Sequence, residues 1–331
     1  MSATAQSPSV GVIDFYGLRK VTVPQIRAVL SVKEGDPLPK SKGDVEESLE
    51  SVRNVVRARL EAVCCQDGQA ILYVGVEERG APHFDYNPAP AGDARVPAEV
   101  HAVYALFLAA VNRAARQSDT TENLAEGHSL LSDPAAREQQ LRFVPLAEKH
   151  FSILKDVLKN SSDEEHRAMA AYVLGYTRNK RAVVSDLQVA LRDPDDTVRN
   201  NAMRALGAIA VVAARQPADT EPEQRIVVQP TWFVEMLDSL IWTDRETALN
   251  VLVTLTERRD PYVIDHLRER ALPSLAEMAR WKHLAHALPA FILVGRVGGL
   301  SENEIETAWS GNGREDLIKQ VLQPGRKKSG R

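Results

Sequence analysis

Cysteine is almost absent. The two present are neighbours, Cys64 and Cys65, so no framework of disulfides holds the chain together, and with no further Cys or His at ligand spacing a zinc site on them is not expected. They are read as packing residues, with a redox, intermolecular or vicinal-disulfide role as the alternative. Aromatic residues are also scarce, 4 Trp, 7 Tyr and 7 Phe in 331 residues, so the core must be built from Ala, Val and Leu, which suits close-packed small helices. Long apolar runs are missing. The longest, 102–111 and 205–214, have ten residues each, about half of the ~20 that a membrane-spanning helix needs. Neither sign of charge dominates: 41 Lys plus Arg stand against 45 Asp plus Glu, net −4. Such a chain has no global field to draw it to nucleic acid or to an anionic membrane. Hydrophobic residues at 44% exclude a wholly disordered chain. The start, MSATAQSPSV, carries no basic n-region and no apolar h-region, so no intact secretory signal is present, although ATAQS looks like the small-residue tail near a signal cleavage site.

The hydropathy pattern divides the chain into four parts. Residues 1–80 read as a small α+β domain in the order β-α-α-β-β. A β-prone run at 10–15 precedes Gly17; Pro24 opens a helix carrying Ile26, Val29 and Leu30; Asp44 caps a second helix with Val45, Leu49 and Val52 on one stripe. Two further β-prone runs, 56–63 and 70–76, are joined by Asp67-Gly68, a hairpin signal. Residues 81–97, rich in Pro, Ala and Gly, read as a linker. Residues 98–323 are helical by period, and 324–331, with Arg326, Lys327, Lys328 and Arg331, read as a disordered basic tail.

The N-terminal order, with GLRKVTVPQIRAVLSVKEGDPLP at its start and ILYVGVEE at its end, resembles a POTRA domain over about 70 residues. The resemblance implies a periplasmic partner-recognition module that adds a strand to a sheet edge, here through 57–66. No β-barrel follows, so a barrel-assembly role does not transfer.

The strongest signal is an internal repeat. Residues 163–175 (DEEHRAMAAYVLG) and 195–207 (DDTVRNNAMRALG) match at an offset of 32 residues, the length of a helical hairpin. A third copy is read at 244–256, with Ala248 in place of the arginine, and a fourth ends at Ala290-Phe-Ile-Leu-Val-Gly295. Asp193-Pro194-Asp195-Asp196 stops one helix and caps the next, while Val198, Ala202, Ala205, Leu206 and Ile209 form a core-facing stripe. Run DPDDTVRNNAMRALG resembles a HEAT repeat of the kind also seen in phycobilin lyases. The resemblance implies a mostly α chain, an α-solenoid of helical hairpins that binds other proteins along a concave surface; it does not imply lyase activity, because the repeat is the shared part.

Signals for catalysis are sparse. No G-x-S-x-G elbow, G-x-G-x-x-G turn or P-loop occurs, and no cofactor or metal is expected. Two readings stand. The first is a non-catalytic scaffold that binds protein partners through a helical groove around Tyr172, Arg199, Asn200, Met203 and Arg204 and through the sheet edge, without nucleic acid or membrane insertion. The second is an enzyme or metal-binding protein built on the solenoid, with His166, His283 or His286 in the site. Trp232, Trp242, Trp281 and Trp309 are expected in the helical core. The POTRA resemblance and the ATAQS start favour a bacterial periplasmic or other extracytoplasmic location; the missing signal favours the cytoplasm. Oligomeric state and partner identity are not encoded in any motif.

Overall fold

A computed structural model describes residues 8–116, 121–217 and 219–323. The ATAQS start and the basic tail lie outside the described residues. The order begins β1 (Val10–Tyr16), α1 (Val23–Val29), α2 (Lys42–Glu50), β2 (Val55–Gln66), β3 (Gln69–Glu78) and continues through α3 (Ala98–Arg116), β4 (Glu122–Asn123), β5 (Leu130–Leu131), α4 (Pro134–Lys149), α5 (Phe151–Asn160), α6 (Glu164–Leu174), α7 (Arg181–Ala190) and α8 (Asp196–Ala214). It closes with α9 (Thr231–Met236), α10 (Trp242–Leu255), α11 (Pro261–Arg270), α12 (Leu272–Met278), α13 (Leu284–Val297), α14 (Glu302–Ser310) and α15 (Arg314–Leu322). The protein is mostly helical, with a small N-terminal sheet of three strands.

Compactness divides the chain differently from the linear boundaries expected above. Unit one gathers Met1–Phe84 with Val234–Leu249 and Arg259–Arg331; unit two is Asp85–Phe233 with Asn250–Arg258. The reason lies in β3. The sheet order is β1-β3-β2, with β1 parallel and β2 antiparallel to the central strand. Leu72, Val74 and Val76 turn one face of β3 into a core with Ile26 and Leu30 of the α1 segment and Val45 and Leu49 of α2. Tyr73 on the opposite face stacks on Trp242 at 4.8 Å and lies 4.9 Å from Trp281. A strand buried on both faces has no polar side, which is why ILYVGV is a continuous apolar run rather than an alternating one. The late helices of unit one are the second layer that this strand requires.

Polar contacts fix the same arrangement. Glu61 on β2 accepts from the Trp242 N–H at the start of α10 (2.9 Å), the Trp281 indole donates to the Phe15 carbonyl (3.0 Å), and Glu277 accepts from the Gly17 and Leu18 N–H groups (2.8 and 3.0 Å). The β2–β3 turn is tight as expected, with Asp67 and Gly68 both at positive φ (52° and 78°), the geometry that an Asp-Gly hairpin supplies. Ser41, not Asp44, caps α2: its hydroxyl accepts from the Asp44 N–H. Cys64 and Cys65, exposed beside that turn, are joined as a vicinal disulfide, so the expectation of plain packing residues is corrected.

Unit two is built from helices. Tyr104 and Phe107 of α3, Phe143 of α4 and Tyr172 of α6 meet with ring centroids between 4.9 and 6.3 Å apart. Among the described residues no helix is long and apolar enough to cross a membrane.

Candidate protein-interaction surface

The repeat segment is a stack of capped helices. Asp163 accepts the Glu165 N–H at the start of α6 and Asp195 accepts the Val198 N–H at the start of α8, each offsetting free donors of the first turn. Behind the caps lies an arginine rule. Arg167 donates to the carbonyl of Ser161 (2.9 Å), Arg199 to that of Asp193 (2.8 Å) and Arg245 to that of Ser239 (2.5 Å), in each case six residues upstream. Arg167 also forks onto the Asp193 carboxylate at 2.8 and 2.9 Å, and this pairing holds the guanidinium pKa above its ordinary value.

Arg245 corrects the third repeat. The expected alignment placed Ala248 opposite Arg199, three residues out of register, because Asp244 imitates a capping acid. In the observed register Ala248 is the counterpart of Ala170 and Ala202, and Leu252 of Leu174 and Leu206; all six are fully buried. Asp244 instead accepts a hydrogen bond from the Ser239 hydroxyl at 2.7 Å.

This burial also relocates the expected partner-binding residues. Tyr172, Arg199 and Met203 lie inside, at 8, 1 and 0% exposure. Tyr172 accepts from the Gln140 amide and pairs with the Tyr176 hydroxyl. Asn200 is half-buried, and only Arg204 is exposed, paired with Glu122. α8 is covered over most of its circumference, with eleven of its nineteen residues buried, so a single-stripe reading of its period underestimates its core. Trp242 and Trp281 are core as expected, at 7 and 2% exposure, whereas Trp232 and Trp309 are half-buried.

The histidines hold backbone and neighbouring rings. His166 accepts the Val96 N–H on Nδ1 (3.0 Å); His283 is the N-cap of α13; His286 shares a 2.6 Å hydrogen bond with the Tyr73 hydroxyl, 4.0 Å between its ring and that of His283. Burial pushes the His286 pKa down to about 4, with the neighbouring His283 adding to the shift. A neutral imidazole is thus favoured in the fold, whereas the unfolded residue titrates near 6.5. Its contribution to stability is complete above about pH 6.5 and is lost as pH falls towards 4. Urea unfolding at pH 7.5 and pH 4.5 should differ by about 1–2 kcal/mol more in the wild type than in His286→Gln, allowing for the ring's partial exposure. Asp14, its pKa raised by burial, acts in the opposite sense, and the comparison with the variant isolates His286 from it. An equal pH dependence in both proteins would contradict this assignment.

The sheet edge is partly closed. On β2 the Ala58 N–H donates to Glu50 (3.0 Å) and the Leu60 N–H to Glu46 (2.8 Å), both from α2. Within the expected strip 57–66 these two ladder donors are taken by carboxylates of the same module, which weakens that edge as a template for an added strand.

An extended segment, not a free linker, crosses the turns of the repeat. The Asn87 N–H donates to the Arg192 carbonyl (2.7 Å) and the Gly92 N–H to the Asn160 carbonyl (2.8 Å), while the Gly92 carbonyl accepts from Ser162 (2.7 Å). Arg192 reaches back to the Asp85 carbonyl (3.0 Å), Arg95 pairs with Asp163 (3.1 Å), and the Arg199 guanidinium lies 4.3 Å over the Tyr86 ring. Asn160 and Arg192 are 32 residues apart, the repeat offset, so each of these two repeats presents the same carbonyl to the strap. Between Pro88 and Pro90 of the strap and Lys155, Leu158, Asp186 and Val189 of α5 and α7 lies a groove of about 240 Å³. Next to it, Lys155 and Asp186 join α5 to α7 at 2.9 Å, and Val189 of the lining stands 63% exposed; Ile153 of α5, outside the lining, is 44% exposed.

No curated protein matches the chain. The family of HEAT repeats matches residues 151–220, the stretch that holds α5 to α8 of a mostly helical protein.

Proposed function

We propose that the chain is a non-catalytic scaffold that binds protein partners through its HEAT-type helices. The observation that carries this reading is the HEAT match over 151–220, since helical repeats of this class offer extended surfaces for protein recognition. The structural duties of His166, His283 and His286 support it, because each is already engaged with backbone or a neighbouring ring. The expected groove moves from α8 to the exposed side of α5 and α7. The N-terminal β-α-α-β-β order supports a POTRA-like module, and the repeated helical pairs support a solenoid. That resemblance supports an extracytoplasmic location.

A two-site charge substitution tests the reading. Ile153→Asp with Val189→Asp should leave stability within about 0.5 kcal/mol of wild type, because both side chains face solvent. Complexes captured from native extracts on wild type and on this variant are compared by quantitative mass spectrometry. One defined protein depleted at least tenfold on the variant is expected. Capture indifferent to the two charges, with a small molecule or metal bound stoichiometrically to the wild type, would overturn it.

A further inference from the structure

We infer that the turns of the HEAT segment form a track for an extended, proline-containing polypeptide, and that residues 85–96 occupy this track as an internal ligand which a partner's segment of the same chemistry displaces. The inference rests on the protein-binding reading and specifies one of its surfaces. Three features carry it. First, the direct contacts at Asn87 and Gly92 are main chain to main chain, the mode by which peptides are recognised with little dependence on sequence. Second, the acceptors are periodic: the carbonyls of Asn160 and Arg192 stand at equivalent places in successive repeats and take strap N–H groups five residues apart. A connector that merely spans two elements has no reason to follow the repeat. Third, the strap is selective at one point. A Cβ on Gly92 would stand 2.5 Å from the Asn160 carbonyl oxygen, so only glycine passes there without displacement. Prolines at 88 and 90 keep the intervening chain extended, which lowers the entropy lost on seating it. The ligand class is therefore an unstructured segment with prolines between its two held N–H groups and a glycine at the second of them, five residues after the first.

A competition assay on the full chain tests this. The probe is a fluorescein-labelled peptide of residues 84–97, and its binding is read by polarisation on wild type, on Gly92→Ala, and on the double variant Gly92→Ala with Asn87→Pro, which also deletes the N–H held by Arg192. The wild type, with its track filled, should take up the peptide at least tenfold more weakly than the double variant. A peptide whose own glycine is alanine should bind neither. Hydrogen exchange at 85–96 confirms release of the strap, and circular dichroism confirms that the helices persist. A folded, strap-released double variant that takes up no peptide overturns the proposal. Capture of a partner at Ile153 and Val189 uses no peptide, so a chain that captures its partner and never binds the peptide refutes the track alone.

Discussion

Arg167→Ala should lower the unfolding free energy by about 3–5 kcal/mol, the range for removing one partner of a buried ion pair. The guanidinium is 2% exposed and the Asp193 carboxylate 6%. Its removal leaves Asp193 with the Asp195 N–H as its remaining hydrogen-bond donor (2.9 Å) among those described, and leaves the Ser161 carbonyl without its arginine. Truncation of the long apolar stem adds a cavity to this electrostatic cost. Urea unfolding followed by helical circular dichroism measures the effect. Replacing both members of the pair, Arg167→Met with Asp193→Leu, should recover most of the loss, because the penalty comes from an unpaired buried charge rather than from the attraction forgone. A single variant within 1 kcal/mol of wild type would show that the arginine rule is incidental to the repeat.

Glu78→Ala should cost about 3–5 kcal/mol in unit one. Its carboxylate, 2% exposed, accepts from three consecutive backbone N–H groups, those of Arg19, Lys20 and Val21, at 2.7 to 3.0 Å. Each donor stranded away from water costs about 1–3 kcal/mol, and the turn leading from β1 to α1 loses its anchor to β3. Glu78→Gln keeps one acceptor oxygen and should lose roughly half as much. Thermal or urea unfolding of the two variants orders them, and a Gln variant as unstable as the Ala variant would contradict the role given to the accepted hydrogen bonds.

The repeat was legible because its signal is covalent and local: a capping acid, an arginine four residues later, and Ala and Leu at fixed steps. It failed at the third copy, where Asp244 stood in the place of a cap and only the six-residue reach of Arg245 to Ser239 reveals the register. Order and turn of the N-terminal module were legible for the same local reasons. Its burial on the second face was not drawn from the sequence, although the unbroken run ILYVGV carried the signal. Site residues fared worst. Tyr172, Arg199 and Met203 lie on helices that neighbours cover on several sides, and a stripe drawn from one period cannot count the neighbours. The strap was hidden for a different reason: main-chain hydrogen bonds leave no side-chain pattern, so residues 85–97 had the composition of a linker and the contacts of a ligand.

Site-specific photo-crosslinking on the full chain tests the scaffold account most directly. Crosslinking residues are placed at Ile153 and Val189 on α5 and α7, and at Tyr262 and Leu284 in unit one as exposed controls. One defined protein adduct is expected from the α5 and α7 positions and none from the controls. Adducts of equal yield from all four positions, or from none while the purified chain turns over a small substrate, would contradict it.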